Sequence, residues 1–162
     1  MATLSVGGTT VYNGTSLDNG AFPAGHIVQI RNAVTGPSSQ INTSGTGTDT
    51  GITDTITITS GNIVMAVATI TLVGAGGGTD AGCRWYFYSV GSSAQIGIGM
   101  TYYWEAPGSA NPQHRSPSCY LYGPYTPAST SEQVKIYYSG LNGATCYIDA
   151  QQASLQLWEV AG

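Results

Sequence analysis

The sequence predicts an all-β fold, a β-sandwich or jelly roll, on three observations. The dominant apolar period is two. Turn signals punctuate the strand-like runs at short intervals. No window sustains a helical period, and 23 glycines in 162 residues would interrupt most attempts at one. Roughly eight to nine short strands with loop-rich connections suit two packed sheets.

The elements follow in order. HIVQIRNAV (26–34) sets Val28 and Ile30 against Gln29 and Arg31. DTITIT (54–59) puts Ile56 and Ile58 on one face and threonines on the other. EQVKIYYSG (132–140) repeats the pattern with Val134, Ile136 and Tyr138. Each predicts a half-buried strand rich in β-branched or aromatic residues. Three further runs are apolar on both faces: IVMAVATITLV (63–73), CRWYFYSV (83–90) and AQIGIGMTYYW (94–104). A strand of that kind is sandwiched between sheets or covered by a neighbouring subunit. The last two carry Trp85, Tyr86, Phe87, Tyr88, Tyr102, Tyr103 and Trp104. A core strand pair is the plain reading of these aromatics. Packing on symmetry mates is a second, since Tyr and Trp bury large area while keeping a polar tip. A carbohydrate platform is a third.

Turns are marked by Gly36-Pro37, Ser60-Gly61-Asn62, the glycine run 74–78, Gly91-Ser92-Ser93 and Asn142-Gly143. The last lies between EQVKIYYSG and ATCYIDA and predicts a β-hairpin. SLQLWEV (154–160) alternates so regularly that it predicts a closing strand inside a sheet. Either Leu155 and Leu157 or Trp158 and Val160 fill the core.

Two regions fall outside the sandwich head, which is placed at 26–162. Residues 1–25 are rich in Gly, Thr and Asn and end in AFPAG, as an arm or linker would. They hold two short apolar clusters, TLSV and TTVY. An arm of this composition does not order itself alone, so it is expected to dock on something through Leu4, Val6, Val11 and Tyr12. EAPGSANPQHRSPS (105–118) reads as a long proline-rich loop, where binding tends to reside. His114 and Arg115 are its candidate receptor contacts.

Composition narrows the function classes. Charged residues make up 7% of the chain, against about 25% in an ordinary soluble domain. A surface with so little charge is poorly protected against association and suits a chain locked into an oligomer or particle. The net charge is −4, with only Arg31, Arg84, Arg115 and Lys135 basic. No counterion-releasing stripe can be built from them, which argues against nucleic-acid binding. The longest apolar run, 63–76, contains two Thr and two Gly and falls short of the ~20 residues of a membrane span. The first residues have no basic n-region or apolar h-region, so no secretory signal is expected.

Cys83, Cys119 and Cys146 show no CxxC or Cys/His ligand spacing, so no zinc site is expected. Each is read as a small buried thiol in a strand, a Cys119–Cys146 pair being the alternative. His26 and His114 are accompanied by no GxSxG elbow or Cys/His constellation. GTGTDTG (45–51) and GAGGGTDAG (74–82) match no phosphate loop. A glycosidase pair would need two of the eight carboxylates to face each other across a cleft. The chain is therefore read as non-enzymatic, without cofactor or metal.

Taken in order, FPAGHIVQI (22–30), ITSGNIVMAVATITLV (58–73), EQVKIYYSG-LNGATCYIDA (132–150) and SLQLWEV (154–160) resemble a family of phage virion proteins. That family includes tail-fibre heads and capsid-attached β proteins of aquatic phages. The resemblance spans roughly residues 22–160, and the aromatic 83–104 region departs from it. It implies a TNF-like or jelly-roll sandwich that forms a homotrimer on the outer surface of a virion assembled in the host cytoplasm. In such a trimer Trp85, Phe87, Tyr102, Trp104 and Trp158 would be core or interface aromatics. No catalytic residue carries over. Two roles follow: a capsid decoration or cement protein held on the major capsid protein by residues 1–25, or a tail-fibre or spike head that binds a host surface glycan. A chain that opens on Met and has no coiled-coil or repeat shaft fits the first better.

Overall fold

The computed structural model describes residues 4–12, 24–33, 41–43, 47–75, 81–104, 113–115 and 119–162. They form β1 (Leu4–Val6), β2 (Thr9–Tyr12), β3 (Ile27–Ala33), β4 (Ile41–Thr43), β5 (Thr48–Thr57) and β6 (Ile63–Ala75). β7 (Ala81–Ser89), β8 (Ala94–Trp104), β9 (Gln113–Arg115), β10 (Cys119–Tyr125), β11 (Ser131–Leu141) and β12 (Thr145–Val160) follow. No helix occurs among the described residues. β1 and β2 pair with each other in a small sheet of their own. The other strands make two antiparallel sheets, one in the order β10-β6-β12-β3 and the other β5-β11-β7-β8. β4 is added beside β12, and β9 beside β6. The all-β sandwich expected from the period-two pattern is the fold of the chain.

Alternation decides what lies between the sheets. From the six-stranded sheet come Val64, Ala66, Ala68 and Ile70 of β6 with Leu155 and Leu157 of β12. From the four-stranded sheet come Ile52 and Ile56, Val134, Ile136 and Tyr138, and Cys83, Trp85 and Phe87. The small alanines of β6 leave volume for the large rings opposite, as close packing requires. Trp85 and Phe87 meet edge to face, with centroids 6.1 Å apart and planes at 84°. The Tyr138 hydroxyl is buried without a hydrogen-bond partner among the described residues. Burial pushes its pKa up to about 12, so it stays neutral.

Several expectations are corrected. Asn142 and Gly143 do form a tight turn, with φ of 51° and 79° and the Ala144 amide donating to the Leu141 carbonyl at 3.0 Å. It does not close a hairpin. β11 lies between β5 and β7 in one sheet, whereas β12 lies between β6 and β3 in the other. Each strand already has partners on both sides, so the turn carries the chain across the core. ATCYIDA and SLQLWEV belong to one strand, β12, whose register with β6 shifts between Ile148 and Ala153.

The sequence read 105–118 as a loop, but Gln113–Arg115 pairs with Val73–Ala75 of β6. Residues 105–112 and 116–118 lie outside the described residues. Gly74 and Ala75, read as part of a turn, extend β6. β5 begins at Thr48, inside the glycine-containing segment GTGTDTG (45–51).

Cys83 is disulfide-bonded, not a free buried thiol. The chain has two other cysteines, Cys119 on β10 and Cys146 on β12, and both strands belong to the six-stranded sheet. A Cys119–Cys146 pair is thereby excluded. The bond of Cys83 ties one sheet of the sandwich to the other.

The chain end is ordered for a simple reason. β12 is a central strand, paired with β6 on one side and β3 on the other. The Ala161 amide donates to the His26 carbonyl at 2.8 Å, and the Gly25 amide returns a bond of the same length to the Ala161 carbonyl.

Candidate functional site

Two features can carry function: the outer faces of the sheets and a pair of buried carboxylates. Glu159, on the core side of β12, is 2% exposed. It accepts hydrogen bonds from the Thr59 amide at 2.7 Å, Asn62 Nδ2 at 2.7 Å and Gln29 Nε2 at 2.5 Å. Burial alone would raise its pKa, but the Thr59 amide and the Gln29 and Asn62 side chains overcome that and hold it below its ordinary value. Glu132 is equally buried and accepts from Ser89 Oγ at 2.7 Å. Burial, and then the Glu132 charge, push the pKa of Tyr125 up. Both carboxylates are thus tied into the protein's own turns. Among the described residues no group of His, Cys, Asp and Glu could hold a metal ion.

Among the described residues, the outer face of the six-stranded sheet is largely apolar, with Thr69, Ser154 and Gln156 as its polar members. β6 sends Val64, Ala66, Ala68 and Ile70 inward, so Ile63, Met65, Val67 and Thr69 point outward, each half-buried. Trp158 of β12 lies on this face beside Met65 and opposite Ile30 of β3. Its indole donates to Gln156 Oε1 at 3.1 Å. Ile30, expected on the apolar face of a half-buried strand, is 48% exposed, and β3 is the edge of the sheet. Pro124 of β10 pairs with Met65 and is exposed. None of these residues is charged. The choice left open for β12 is settled for Leu155 and Leu157, which face the core. Trp158 faces out, and Val160 returns to the interior because the β3 register shifts between Glu159 and Val160.

The outer face of the four-stranded sheet has a different character. Arg84, Tyr86 and Tyr88 of β7 alternate with the buried Cys83, Trp85 and Phe87, and Lys135 and Tyr137 of β11 alternate with Val134, Ile136 and Tyr138. Tyr137 sits 5.8 Å from Tyr86 with planes at 26°, and 4.7 Å from Tyr88 with planes at 34°. The three rings form one row. The Arg84 guanidinium lies 5.5 Å from the Tyr86 centroid and donates to Gln95 Oε1 at 2.9 Å. Lys135 Nζ reaches Asp49 Oδ2 at 2.8 Å. The backbone leaves space for this row. A side chain at Gly47 would run into the Tyr86 hydroxyl, and one at Gly99 would lie 3.0 Å from Arg84 Nε and 3.2 Å from the Trp85 carbonyl oxygen.

The residues singled out from sequence are placed as follows. Trp85 and Phe87 are core residues, each 1% exposed, and Trp158 belongs to the apolar outer face. Leu4 and Val6 lie on the β1–β2 hairpin, 56% and 64% exposed, with Gly7 and Gly8 at positive φ in its turn. Val11 and Tyr12 are on β2, Tyr102 and Trp104 on β8, and His114 and Arg115 on β9; their side chains lie outside the described residues. Sequence reading did not single out the Tyr86–Tyr137–Tyr88 row with Arg84. The signal was present, since these residues occupy the opposite parity to Trp85, Phe87, Ile136 and Tyr138.

No protein-family model matches the chain, and no curated protein matches it. Among solved structures the chain is similar to dimeric latent PorU from Porphyromonas gingivalis, with 12% identity and a TM-score of 0.36. The match covers 86% of this chain and 14% of that one. So distant a likeness carries no argument about function.

Proposed function

We propose that this protein is a non-enzymatic phage virion surface protein, a homotrimeric decoration or cement protein of the capsid. The observation that carries this reading is the outer face of the six-stranded sheet. It presents Ile30, Ile63, Met65, Val67, Pro124 and Trp158 without a charge among them. Thr69, Ser154 and Gln156 add polar groups on the same parity, and a largely apolar patch of this kind marks an association surface. In a closed ring of three copies each chain would turn it toward its mates.

The strand order supports a jelly-roll head. Of the connections between the eight long strands, the β7–β8 hairpin alone stays within a sheet, as in the double-sheet folds of capsid proteins and lectins. The β1–β2 hairpin supports the attachment role. A lone two-stranded hairpin is marginal in water, and this one exposes Leu4 and Val6, so a seat on the capsid surface would complete it. Repetition over the shell would turn modest affinity into strong attachment. The Cys83 disulfide suits an external position, since such bonds persist at virion and cell surfaces.

The second reading is a tail-fibre or spike head, favoured by the exposed tyrosine row. Quantitative mass spectrometry of purified particles separates the two. Decoration predicts a copy number comparable with that of the major capsid protein. A copy number matching the tail would move the protein to a fibre or spike, and absence from particles would overturn both.

A further inference from the structure

We propose that the outer face of the four-stranded sheet binds an anionic glycan, its sugar rings lying along Tyr88, Tyr137 and Tyr86 and its acidic group on Arg84. The site needs only this sheet, so it stands apart from the assembly face on the opposite side of the sandwich.

The charge pattern selects the ligand. Arg31 faces Asp54 at 3.8 Å and Lys135 is paired with Asp49 at 2.8 Å. The Arg84 guanidinium has a neutral partner, Gln95, and no carboxylate among the described residues. In a chain of net charge −4 it makes a local positive site, set against an aromatic ring. Guanidinium is the group best shaped to hold a carboxylate or sulfate by two parallel hydrogen bonds.

The remaining features fit a sugar. Because Tyr137 is stacked between Tyr86 and Tyr88, the row turns its ring edges outward, and these positively polarised edges suit the oxygen atoms of an acidic sugar. Hydroxyl groups need donors and acceptors together, and Gln95, Gln133, Thr53, Lys135 and Asp49 border the row with both. The rings are half-exposed, and Gly47 and Gly99 keep the neighbouring strands from crowding Tyr86 and Arg84. A nucleic acid would demand several cations for its phosphates, and this face has one that is not already paired.

The test is a titration of the full chain, followed by calorimetry and by NMR, with three oligosaccharides of equal length: an oligo-uronate, a sulfated galactan fragment and a neutral gluco-oligosaccharide. An acidic probe should bind about tenfold or more tightly than the neutral one. Its shifts should map to Arg84, Tyr86, Tyr88 and Tyr137. Arg84→Gln should erase the preference for acid, Tyr86→Ala should weaken binding of every probe about tenfold, and Tyr137→Phe should retain binding. Preference for the uronate or for the sulfated probe identifies which acid the site takes. Should Tyr86→Ala fail to fold, the wild-type shift map and Arg84→Gln still decide. The proposal is overturned if no probe binds at millimolar concentration, if shifts fall elsewhere, or if Arg84→Gln leaves the preference intact. It is equally overturned if Tyr86→Ala folds but dissociates the oligomer, which would make the row a contact between copies.

Discussion

Reduction of the Cys83 disulfide should lower the unfolding free energy by about 4 kcal/mol, the entropy of closing a loop of roughly 35 to 65 residues in the unfolded chain. The two candidate partners give nearly the same figure, because the dependence on loop length is logarithmic. The bond joins the two sheets, so its loss frees them to separate in a way that a bond within one sheet would not. Denaturant unfolding with and without reductant measures the effect, and Cys83→Ser should make the protein insensitive to reductant. An unchanged midpoint for the reduced wild type would show that the sandwich holds without the cross-link.

The second large effect centres on Glu159. Replacing it with Ala leaves three donors at Thr59, Asn62 and Gln29 without their acceptor. At about 1 kcal/mol or more for each orphaned group, the expected cost is about 3–4 kcal/mol. The pH dependence has a definite sign. The folded-state pKa of Glu159 is depressed, so its stabilisation is complete above the unfolded value of about 4.3. It is lost as pH falls through the lower, folded value. The stability gap between wild type and Glu159→Ala should thus be widest at neutral pH and narrow in acid. A gap independent of pH would mean that the charge contributes nothing beyond packing.

These two sites mark where sequence reading reached and where it stopped. Alternation placed Val134, Ile136, Tyr138, Ile56 and Trp85 in the core because burial is a local consequence of strand parity. It could not say that β11 and β12 part company at Asn142-Gly143. The same turn geometry serves a hairpin or a crossing between sheets, and the choice depends on which partners each strand finds far along the chain. Trp158 and Val160 share a parity, and only the register shift against β3 sends one outward and the other inward. Glu159 was hidden for a similar reason. A glutamate in an apolar strand is unremarkable until Gln29, Thr59 and Asn62 are brought to it from two other regions. The tyrosine row was legible as a period-two pattern, but the plainer core reading absorbed the aromatics of both parities together.

The two outer faces divide the molecule's surface chemistry, one largely apolar and without charge among its described residues, the other aromatic with polar and charged groups. The proposed role rests on the first. Light scattering of the full chain at micromolar concentration tests it most directly, with Val67→Lys as the companion variant on that face. The account predicts a trimer for the wild type and a folded monomer for Val67→Lys. A wild-type monomer, or a trimer unaffected by a lysine at position 67, would contradict it.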